Sequence, residues 1–371
     1  MAVSWHSFDL VSGRRGARLV TESLGTVKRH INEANDVTVP VRMFDHERGR
    51  PFPGWLEGTN HGLTMLVAID TTDHDEDILW GGMVVRRIRT IGPTANVSAV
   101  TLEHYFGRRY VGDVAWDNVD LAQIAADVVD SISDDGIGLT VATTPTGVML
   151  GGEYSDSEDM RVAAILDTLA ALDGGIEFTV ELGWANAEHT ALTKTLRIGP
   201  RIGLAPLVPT VWSYPGCVDD FEFVEDFTTE YGANDVTTVS SGEGDSRPSE
   251  RRTDEALIAG GYPRYEKRDT PGTSITRETT LESAADAMLA DMRLGLTQLT
   301  IKADARTAPR FGRDWFLGDD LLGQLSCDAF PPVMGPEGYV VPGFNRRLRA
   351  VGVELDLDGH KVNPITQEVD A

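Results

Sequence analysis

The stretch "GRDWFLGDDLLGQLSC", residues 312–327, places two acidic residues directly after a glycine. Gly318, Asp319 and Asp320 are compatible with a metal-binding loop, a pair of catalytic carboxylates or a tight turn. Gly318 allows the positive φ that a tight turn often needs, and Asp319 can accept backbone N–H groups across such a turn. We interpret the stretch as a turn that leads into a core strand and has no catalytic role. Apolar cover for the turn is expected from Trp315 and Leu317, and the inward positions of the strand are expected to be Leu321, Leu325 and Cys327.

Two other acidic stretches have part of the spacing of a calcium loop. "DTTDHDEDILW" carries Asp73, Asp75 and Asp77 at every second position, but the positions at which an EF-hand has Gly and Glu are Ile and Val. We expect a solvated acidic loop there, with a loosely bound calcium at Asp73–Asp77 as the alternative. "ELDLDG", residues 354–359, lacks the twelfth-position carboxylate, and its Asp-Gly pair predicts a hairpin turn.

Other catalytic motifs do not occur in the sequence. It has no GxSxG, HExxH or GxxxxGK[ST] pattern and no GxGxxG after a strand. None of the eight histidines has a partner histidine four residues away. A glycosidase-like carboxylate pair stays open among the 58 acidic residues, because no spacing singles one out. We predict no catalytic residue, no cofactor and no metal ligand.

The elements that must position these residues are mostly strands. Clean alternation of apolar and polar residues predicts half-buried strands of antiparallel sheets. It occurs in "LTMLVAI" (63–69), "IGLTVA" (137–142), "IEFTVEL" (176–182), "LTQLTIKA" (296–303) and "VGVELDL" (351–357).

Three segments have helical periodicity instead: 118–132, 158–172 and 279–294. The first is capped by Asp117 or Asn118, and the third has a Thr279-x-x-Glu282 capping box and Gly295 as a stop signal. Each of the first two helices precedes a pair of strands, which predicts an αββ unit used twice.

The fold class is therefore α+β, with helices covering antiparallel sheets. We divide the chain into a β region at 1–115, an αββαββ insertion at 116–200, a mixed region at 201–310 and a β-rich end at 311–371. The mixed region contains a Gly- and Ser-rich loop at 240–255 and the helix at 279–294. We expect the first and last β regions to pair into one barrel or sandwich, because neither looks self-sufficient.

Composition narrows the function. A length of 371 residues suggests two or three domains, and two cysteines without a CxxC pair fit a reducing cytoplasm. The 33 Lys and Arg against 58 Asp and Glu give a net charge of −25, which argues against nucleic-acid binding by a basic face. We find no signal peptide and no apolar run near the ~18 residues of a membrane span.

The motif formed by Trp315, Leu317, Gly318, Asp319 and Leu321 resembles the "LGD-x-V" stretch found late in many siphophage tail proteins. Four further stretches are similar to that family in the same order: "ILWGGMV" (78–84), "HYFGRRYVGD" (104–113) with "DLAQIAADVV" after it, "ILDTLAALDGGIEFTVELGW" (165–184) and "YGANDVTTVSSGEGDSR" (231–247). The chain thus resembles actinobacteriophage minor tail proteins of the tail-tip or baseplate-hub (Tal-like N-terminal) type. It departs from them at Gly323, which interrupts the strand, and at Leu321, where Val is usual.

The resemblance implies β-barrel-like hub domains with α/β insertions, and a homotrimer that forms a pseudo-sixfold ring. It places the ring at the virion tail tip, below the distal tail protein ring and around the tip of the tape-measure protein, after assembly in the host cytoplasm. Other minor tail or receptor-binding proteins would be neighbours, and DNA would meet the lumen only in transit. The sequence stops near residue 371, without the long C-terminal extension of many tail-tip proteins, and we therefore do not expect an attached hydrolase or receptor-binding module.

Three functions follow from these observations. The first is a structural tail-tip subunit that closes the tail tube and forms the channel for DNA exit. The alternatives are a tail-associated cell-wall hydrolase and a carbohydrate-binding tail module. Trp184, Trp212 and Tyr214 lie in loop-like stretches and are candidates for exposed sugar-binding aromatics, although we interpret them as packing or interface residues.

Overall fold

A computed structural model describes residues 2–72, 76–240, 248–270, 278–335 and 338–369. Antiparallel strands dominate it, four α-helices accompany them, and the α+β prediction is confirmed. No helix in these ranges is long and apolar enough to cross a membrane.

The first region folds into a six-stranded sheet in the order β2-β1-β7-β8-β9-β4. Its two ends meet, because Thr21 bridges Val41 and the Arg42 N–H donates to the Val20 carbonyl at 2.7 Å. The sheet therefore curls into a barrel. The strands are β1 Val3–Asp9, β2 Arg15–Leu19, β3 Thr26–His30, β4 Asp36–Arg42, β5 Phe44–Asp45, β6 Arg50–Pro51, β7 Thr64–Asp70, β8 Asp77–Arg89 and β9 Thr94–Thr101.

The insertion has the predicted order of helices and strands but different pairing. β12 pairs with β10, while β11 runs parallel to β14 in a sheet ordered β11-β14-β13. The two strands after the first helix thus belong to different sheets, and the expected αββ repeat is wrong in this respect. The elements are β10 Val114–Asp120, α1 Leu121–Asp130, β11 Thr140–Thr143, β12 Met149–Tyr154, α2 Val162–Ala170, β13 Glu177–Trp184 and β14 Leu192–Gly199.

Helix α1 begins later than predicted. Its N-cap is Asp120, whose carboxylate accepts from the Ala122 N–H at 2.9 Å, and not Asp117 or Asn118. Asp120 also accepts from the N–H groups of Thr146 and Gly147, so the cap joins the helix to the loop before β12. The preceding residues continue strand β10, which a helical stripe by itself does not reveal.

The second large sheet has the order β15-β21-β24-β25-β20-β16, and β3 from the N-terminal region pairs with β24. The first and last β regions thus share one strand pairing, but most strands of the first region close into a barrel of their own, so the two regions do not form the single barrel that was one of the expected arrangements. The strands are β15 Thr210–Tyr214, β16 Val218–Asp226, β20 Leu296–Asp304, β21 Asp320–Leu325, β24 Phe344–Asp356 and β25 Lys361–Glu368.

A small sheet, β18-β17-β19, packs against helix α4. Gly295, predicted as the stop of this helix, has φ 76° and donates to the Met292 carbonyl at 3.1 Å. Thr279 of the predicted capping box lies among residues whose side chains are not described. The remaining elements are β17 Asp235–Val239, β18 Ser249–Thr253, α3 Glu255–Ala259, β19 Glu266–Asp269, α4 Glu278–Met292, β22 Val333–Met334 and β23 Val340–Val341.

The "ELDLDG" stretch forms the turn between β24 and β25, as predicted. Asp356 accepts from the Gly359 N–H at 2.8 Å, and the Asp358 carboxylate accepts from the N–H groups of Leu24 and Gly25. The positive φ of this turn falls on His360, at 55°. Asp358 therefore fastens the hairpin to the N-terminal region.

Two large buried cores cross the predicted segment boundaries. One combines Trp5 and Val39 of the first barrel with Trp212 and Leu355 of the second sheet. The other packs helices α1 and α2 against Phe8 and neighbouring residues of the first barrel. The described regions are thus joined by continuous apolar packing.

Candidate functional site

The Gly318 turn connects three parts of the molecule. Gly318 has φ 87°, and its N–H donates to the Ala350 carbonyl on β24 at 2.7 Å. The Asp319 carboxylate accepts from the Phe316 N–H at 2.8 Å across the turn and from the Leu204 N–H at 2.7 Å. The turn was predicted from its residues, whereas the bond to Leu204, in the segment that leaves the insertion, was not.

Three arginines surround this turn. Arg201 and Arg347 both pair with Asp320, and Arg349 forms a two-pronged pair with Glu177 at the start of β13. Arg349 also donates to the carbonyls of Gly318 at 3.2 Å and Ile202 at 2.8 Å. Charge-assisted, bidentate bonds of this kind fix geometry as well as charge. We call Glu177, Arg201, Asp320, Arg347 and Arg349 the arginine cluster.

The arginine cluster leaves little room for acid–base chemistry. Asp320 is 2 % exposed and Asp319 is 8 % exposed, and each carboxylate is engaged by backbone N–H groups or by arginines. Burial raises the pKa of Asp319, while the N–H groups of Leu204 and Phe316 and the charge of Arg201 act in the opposite direction. Both carboxylates thus fasten the turn to neighbouring segments of the chain.

The residues on either side of the turn pack in the apolar core. Trp315 is 1 % exposed and meets Trp212 edge to face, with ring centroids 5.8 Å apart. Phe311 packs against the same indole of Trp315, with ring centroids 5.0 Å apart. Leu317 and Leu321 are buried in the same core, as predicted, whereas Cys327 lies beyond the end of β21 and is half-buried.

The predicted interface aromatics fall in different places. Trp212 lies inside strand β15 with no exposed surface, so the prediction of a loop-like position is wrong. Trp184 is the last residue of β13 and is half-buried, and Tyr214 ends β15 with 37 % exposure. Of the three, Tyr214 is the most accessible to a partner.

Trp184 belongs to a polar cluster with Arg15, Glu76 and His189. His189 stacks on its ring at 4.3 Å, and Arg15 lies over the ring at 5.5 Å. Glu76 pairs with Arg15 at 2.7 Å and with His189 at 3.0 Å, and its backbone carbonyl accepts from the Trp184 indole at 2.7 Å. A hydrogen bond and the charge of Arg15 lower the pKa of Glu76. The ring is thus held in place between the insertion and the first barrel.

A cleft of about 230 Å³ lies beside this cluster, between β13, β8 and residues 311–317. Its acidic residues are Glu76, Asp77 and Glu181. Each carboxylate is paired with an arginine: Glu76 with Arg15, Asp77 with Arg313, and Glu181 with Arg197. Among the described residues that line the cleft, no carboxylate is therefore left without an arginine partner.

Metal binding gains no support from the described residues. No group of three His, Cys, Asp or Glu residues within them lies close enough to hold an ion. Of the acidic loop at Asp73–Asp77, Asp73 and Asp75 lie outside the described residues, and Asp77 pairs with Arg313 at 2.9 Å.

The arginine cluster was not predicted from the sequence. A signal was present in "RRLRAVGV", where Arg347 and Arg349 stand two positions apart on either side of Leu348. Such alternation places both guanidinium groups on one face, opposite the inward Leu348. Their partners, Glu177 and Asp320, are distant in sequence, so the pairing itself could not be predicted.

Comparison with known proteins identifies the fold. No family model and no curated protein matches the sequence. Among solved structures, the 43 kDa tail protein of prophage MuSo2 from Shewanella oneidensis superposes with a TM-score of 0.58 at 11 % identity, covering 99 % of this chain and 98 % of that chain. The fold is that of prophage tail proteins.

Two further structures agree with this assignment. The tail protein from Neisseria meningitidis MC58 gives a TM-score of 0.55 at 13 % identity, covering 99 % of this chain and 97 % of that one. A prophage tail protein from Listeria monocytogenes EGD-e gives 0.51 at 10 % identity, with 99 % and 94 % covered. The suspicion of a phage tail protein, drawn from the sequence, is confirmed at the level of the fold.

Proposed function

We propose that this chain is a structural subunit of a phage tail tip, in the hub ring that closes the tail tube below the distal tail protein ring. The observation that carries the proposal is the match of the whole fold, 99 % of this chain against 98 % of a prophage tail protein. A match over the barrel, insertion and second sheet together is informative, because a single shared barrel would be compatible with many functions.

The chemistry of the candidate site supports a role without catalysis. The carboxylates of the Gly318 turn and of the cleft are bound by arginines or backbone N–H groups. A general acid or base must exchange a proton with a substrate, and these groups are already committed to structure. No observation favours the hydrolase, and the carbohydrate-binding alternative loses Trp212, which is fully buried.

Exposed apolar residues support a permanent place in an assembly. In the segment before β15, Leu204, Leu207 and Val208 are 70 %, 97 % and 86 % exposed. Contiguous exposed apolar surface commonly marks sites of protein association. We propose a homotrimer, with the distal tail protein ring, the tape-measure protein and other minor tail or receptor-binding proteins as neighbours.

The net charge suits a channel for DNA. Three copies carry about −75, three times the −25 of one chain. A negative lumen provides no counter-ion release when DNA touches it, so DNA passes without adhering. A trimer structure whose lumen is basic or neutral, with the acidic residues confined to the outside, would reject this part of the proposal.

Cryo-electron microscopy of intact virions tests the function directly. We expect density for three copies of this chain at the tail tip, surrounding the axial channel. Location on the capsid, along the tail tube or outside the particle contradicts the proposal.

A zymogram of the purified protein on host cell wall is the complementary test, and clearing there would establish a hydrolase instead.

A further inference from the structure

The hairpin of β8 and β9 carries positive charge in an otherwise acidic chain. Strand β8 extends to Arg89, but its pairing with β7 ends at Met83. Residues 85–89 therefore project beyond β7 in a hairpin with β9. The segment 85–93, "VRRIRTIGP", contains three arginines and no acidic residue. This is a local reversal of the net charge of −25.

Two of these arginines have no acidic partner among the described residues. Arg86 and Arg89 are exposed, and neither forms an ion pair or side-chain hydrogen bond within the part of the chain that the structure describes. Arg87 instead donates to the Leu56 carbonyl at 2.7 Å and to Thr59 at 2.9 Å. An acidic side chain close to the hairpin, Glu22, accepts from the Thr94 hydroxyl at 2.6 Å.

The same hairpin exposes apolar side chains. Val85 and Ile88 are 37 % and 38 % exposed, and Ile91 at the tip is fully exposed. Unpaired arginines beside exposed aliphatic residues form an amphipathic surface, and arginine is enriched at protein interfaces. A partner for this surface must combine acidic groups with apolar ones.

Strand β16 provides acidic groups on this same chain. It forms one end of the second sheet, and five of its nine residues are acidic: Asp219, Asp220, Glu222, Glu225 and Asp226. Lys361 and Lys302 neutralise Asp219 and Asp220. Glu222 and Glu225 are exposed and form no ion pair within the described ranges. Being three residues apart in a strand, they lie on opposite faces of β16 and flank its edge, as Arg86 and Arg89 flank the edge of β8.

Apolar surface adjoins this acidic strand. Phe330 packs against Phe221 and Phe223 of β16, with ring centroids 5.7 Å and 5.3 Å apart. Three residues later the β22–β23 hairpin begins, and its apolar side chains are more than half exposed: Val333, Met334, Tyr339 and Val340. The acidic strand and this hairpin complement the β8–β9 hairpin in both charge and polarity.

We propose that the β8–β9 hairpin of one copy docks along the edge of strand β16 of a second copy, so that Arg86 and Arg89 pair with Glu225 and Glu222 on the two sides of the joined edges. Two copies with a net charge of −25 each repel, so they can associate only where opposite charges or uncharged surfaces meet. The contact joins two different patches, and such head-to-tail contacts generate rings when the rotation closes. The inference rests on the proposed homotrimer and names its contact surface.

Sedimentation velocity of the purified chain over a concentration series tests this contact. We expect the wild type to self-associate, and Arg86→Glu with Arg89→Glu to weaken association by roughly two orders of magnitude, because like charges then face each other. Glu222→Arg with Glu225→Arg should weaken it similarly. The variant with all four substitutions should associate again, because every copy then offers both reversed patches.

Controls separate the contact from net charge. Arg18→Glu with Arg108→Glu changes two exposed arginines elsewhere and lowers the charge equally, so we expect association like the wild type. Combining that pair with Glu222→Arg and Glu225→Arg keeps the wild-type net charge, but reverses only one partner of the contact and should not restore association.

Three results overturn the inference: a wild type that stays monomeric throughout, normal association of the Arg86 and Arg89 variant, or no recovery in the fourfold variant. These outcomes are distinguishable from failure of the proposed function. A chain located at the tail tip whose association ignores the charge swaps rejects the contact alone, whereas a chain located elsewhere rejects the function.

Discussion

Gly318 illustrates how one backbone conformation holds several segments together. Its φ of 87° is strained for residues with a side chain, and a Cβ placed there would lie 2.2 Å from the Ile202 carbonyl oxygen. We predict that Gly318→Ala lowers the free energy of unfolding by about 1–3 kcal/mol or more, through strain and displacement of the Ile202 segment. Chemical denaturation measures this, with Gly112→Ala as the control, because a Cβ there meets nothing within 4 Å. Equal midpoints for the two variants would contradict the role of the turn.

A single residue, His6, makes the stability of the folded protein depend on pH. Burial, together with the charge of Arg15, lowers the pKa of His6 from 6.5 to about 4. The unfolded chain therefore binds a proton between pH 6.5 and pH 4 that the folded chain excludes, and stability falls as pH decreases through that window.

We expect His6→Gln to remove this loss, which amounts to at most about 3 kcal/mol near pH 4. Glutamine cannot titrate, so the free energy of unfolding of the variant should vary less steeply with pH between 6.5 and 4. Thermal unfolding of both proteins across this range measures the effect. Parallel pH profiles would show that His6 protonates freely in the folded state.

At the scale of elements, residues of the N-terminal region cap the outer edge of β13. Asn32 exchanges two hydrogen bonds with the Phe178 backbone, and Arg29 donates to the Val180 carbonyl at 3.1 Å. The buried Glu103 carboxylate accepts from the Val180 N–H at 2.7 Å and from the Thr179 hydroxyl at 3.2 Å. These bonds protect an edge strand that would otherwise expose unpaired backbone groups.

Glu103→Ala should therefore destabilise the protein by about 1–3 kcal/mol, because it leaves buried donors of β13 without an acceptor. Glu103→Gln retains a carbonyl oxygen and should cost less. Urea denaturation of both variants makes the comparison. A glutamine variant as unstable as the alanine variant would mean that charge, rather than hydrogen bonding, makes Glu103 important.

At the scale of the whole molecule, the shared cores make the regions interdependent. Helices α1 and α2 bury Leu121, Ile124 and Leu166 in a cluster that also contains Phe8 and Val67 of the first barrel. We predict that a fragment of residues 116–200 does not fold alone, because the apolar surface that packs against the first barrel would face water. Circular dichroism during heating tests this, with the full chain as the control. A cooperative transition in the fragment would make the insertion an autonomous domain.

The net charge of −25 also acts on the whole molecule. Self-repulsion of a compact acidic chain is screened by salt, and the Debye length falls from about 30 Å at 0.01 M to about 8 Å at 0.15 M. We therefore expect the unfolding temperature to rise over this range of sodium chloride. Differential scanning fluorimetry measures it, and a decrease would mean that attractive ion pairs such as those of the arginine cluster outweigh the repulsion.

Local sequence determined the turns and many of the strands. The Gly318 and Asp358 turns followed from residue types, since a positive φ and short acceptor side chains act over a few residues. The alternation of β20 places Leu299, Ile301 and Ala303 in the core, as predicted. In β24 the alternation breaks at a bulge between Ala350 and Gly352, which no pattern of polarity reveals.

Tertiary structure decided which elements meet. Residues far apart in the chain meet in four features of the structure. They are the pairing of β3 with β24, the parallel pairing of β11 with β14, the burial of Trp212 and the salt bridge between Arg349 and Glu177. Apolar alternation specifies one buried face of a strand, but it does not specify a neighbour, because any strand with a matching face satisfies it. The choice of neighbour depends on the whole set of side chains that must pack together, and this set exists only in the folded molecule.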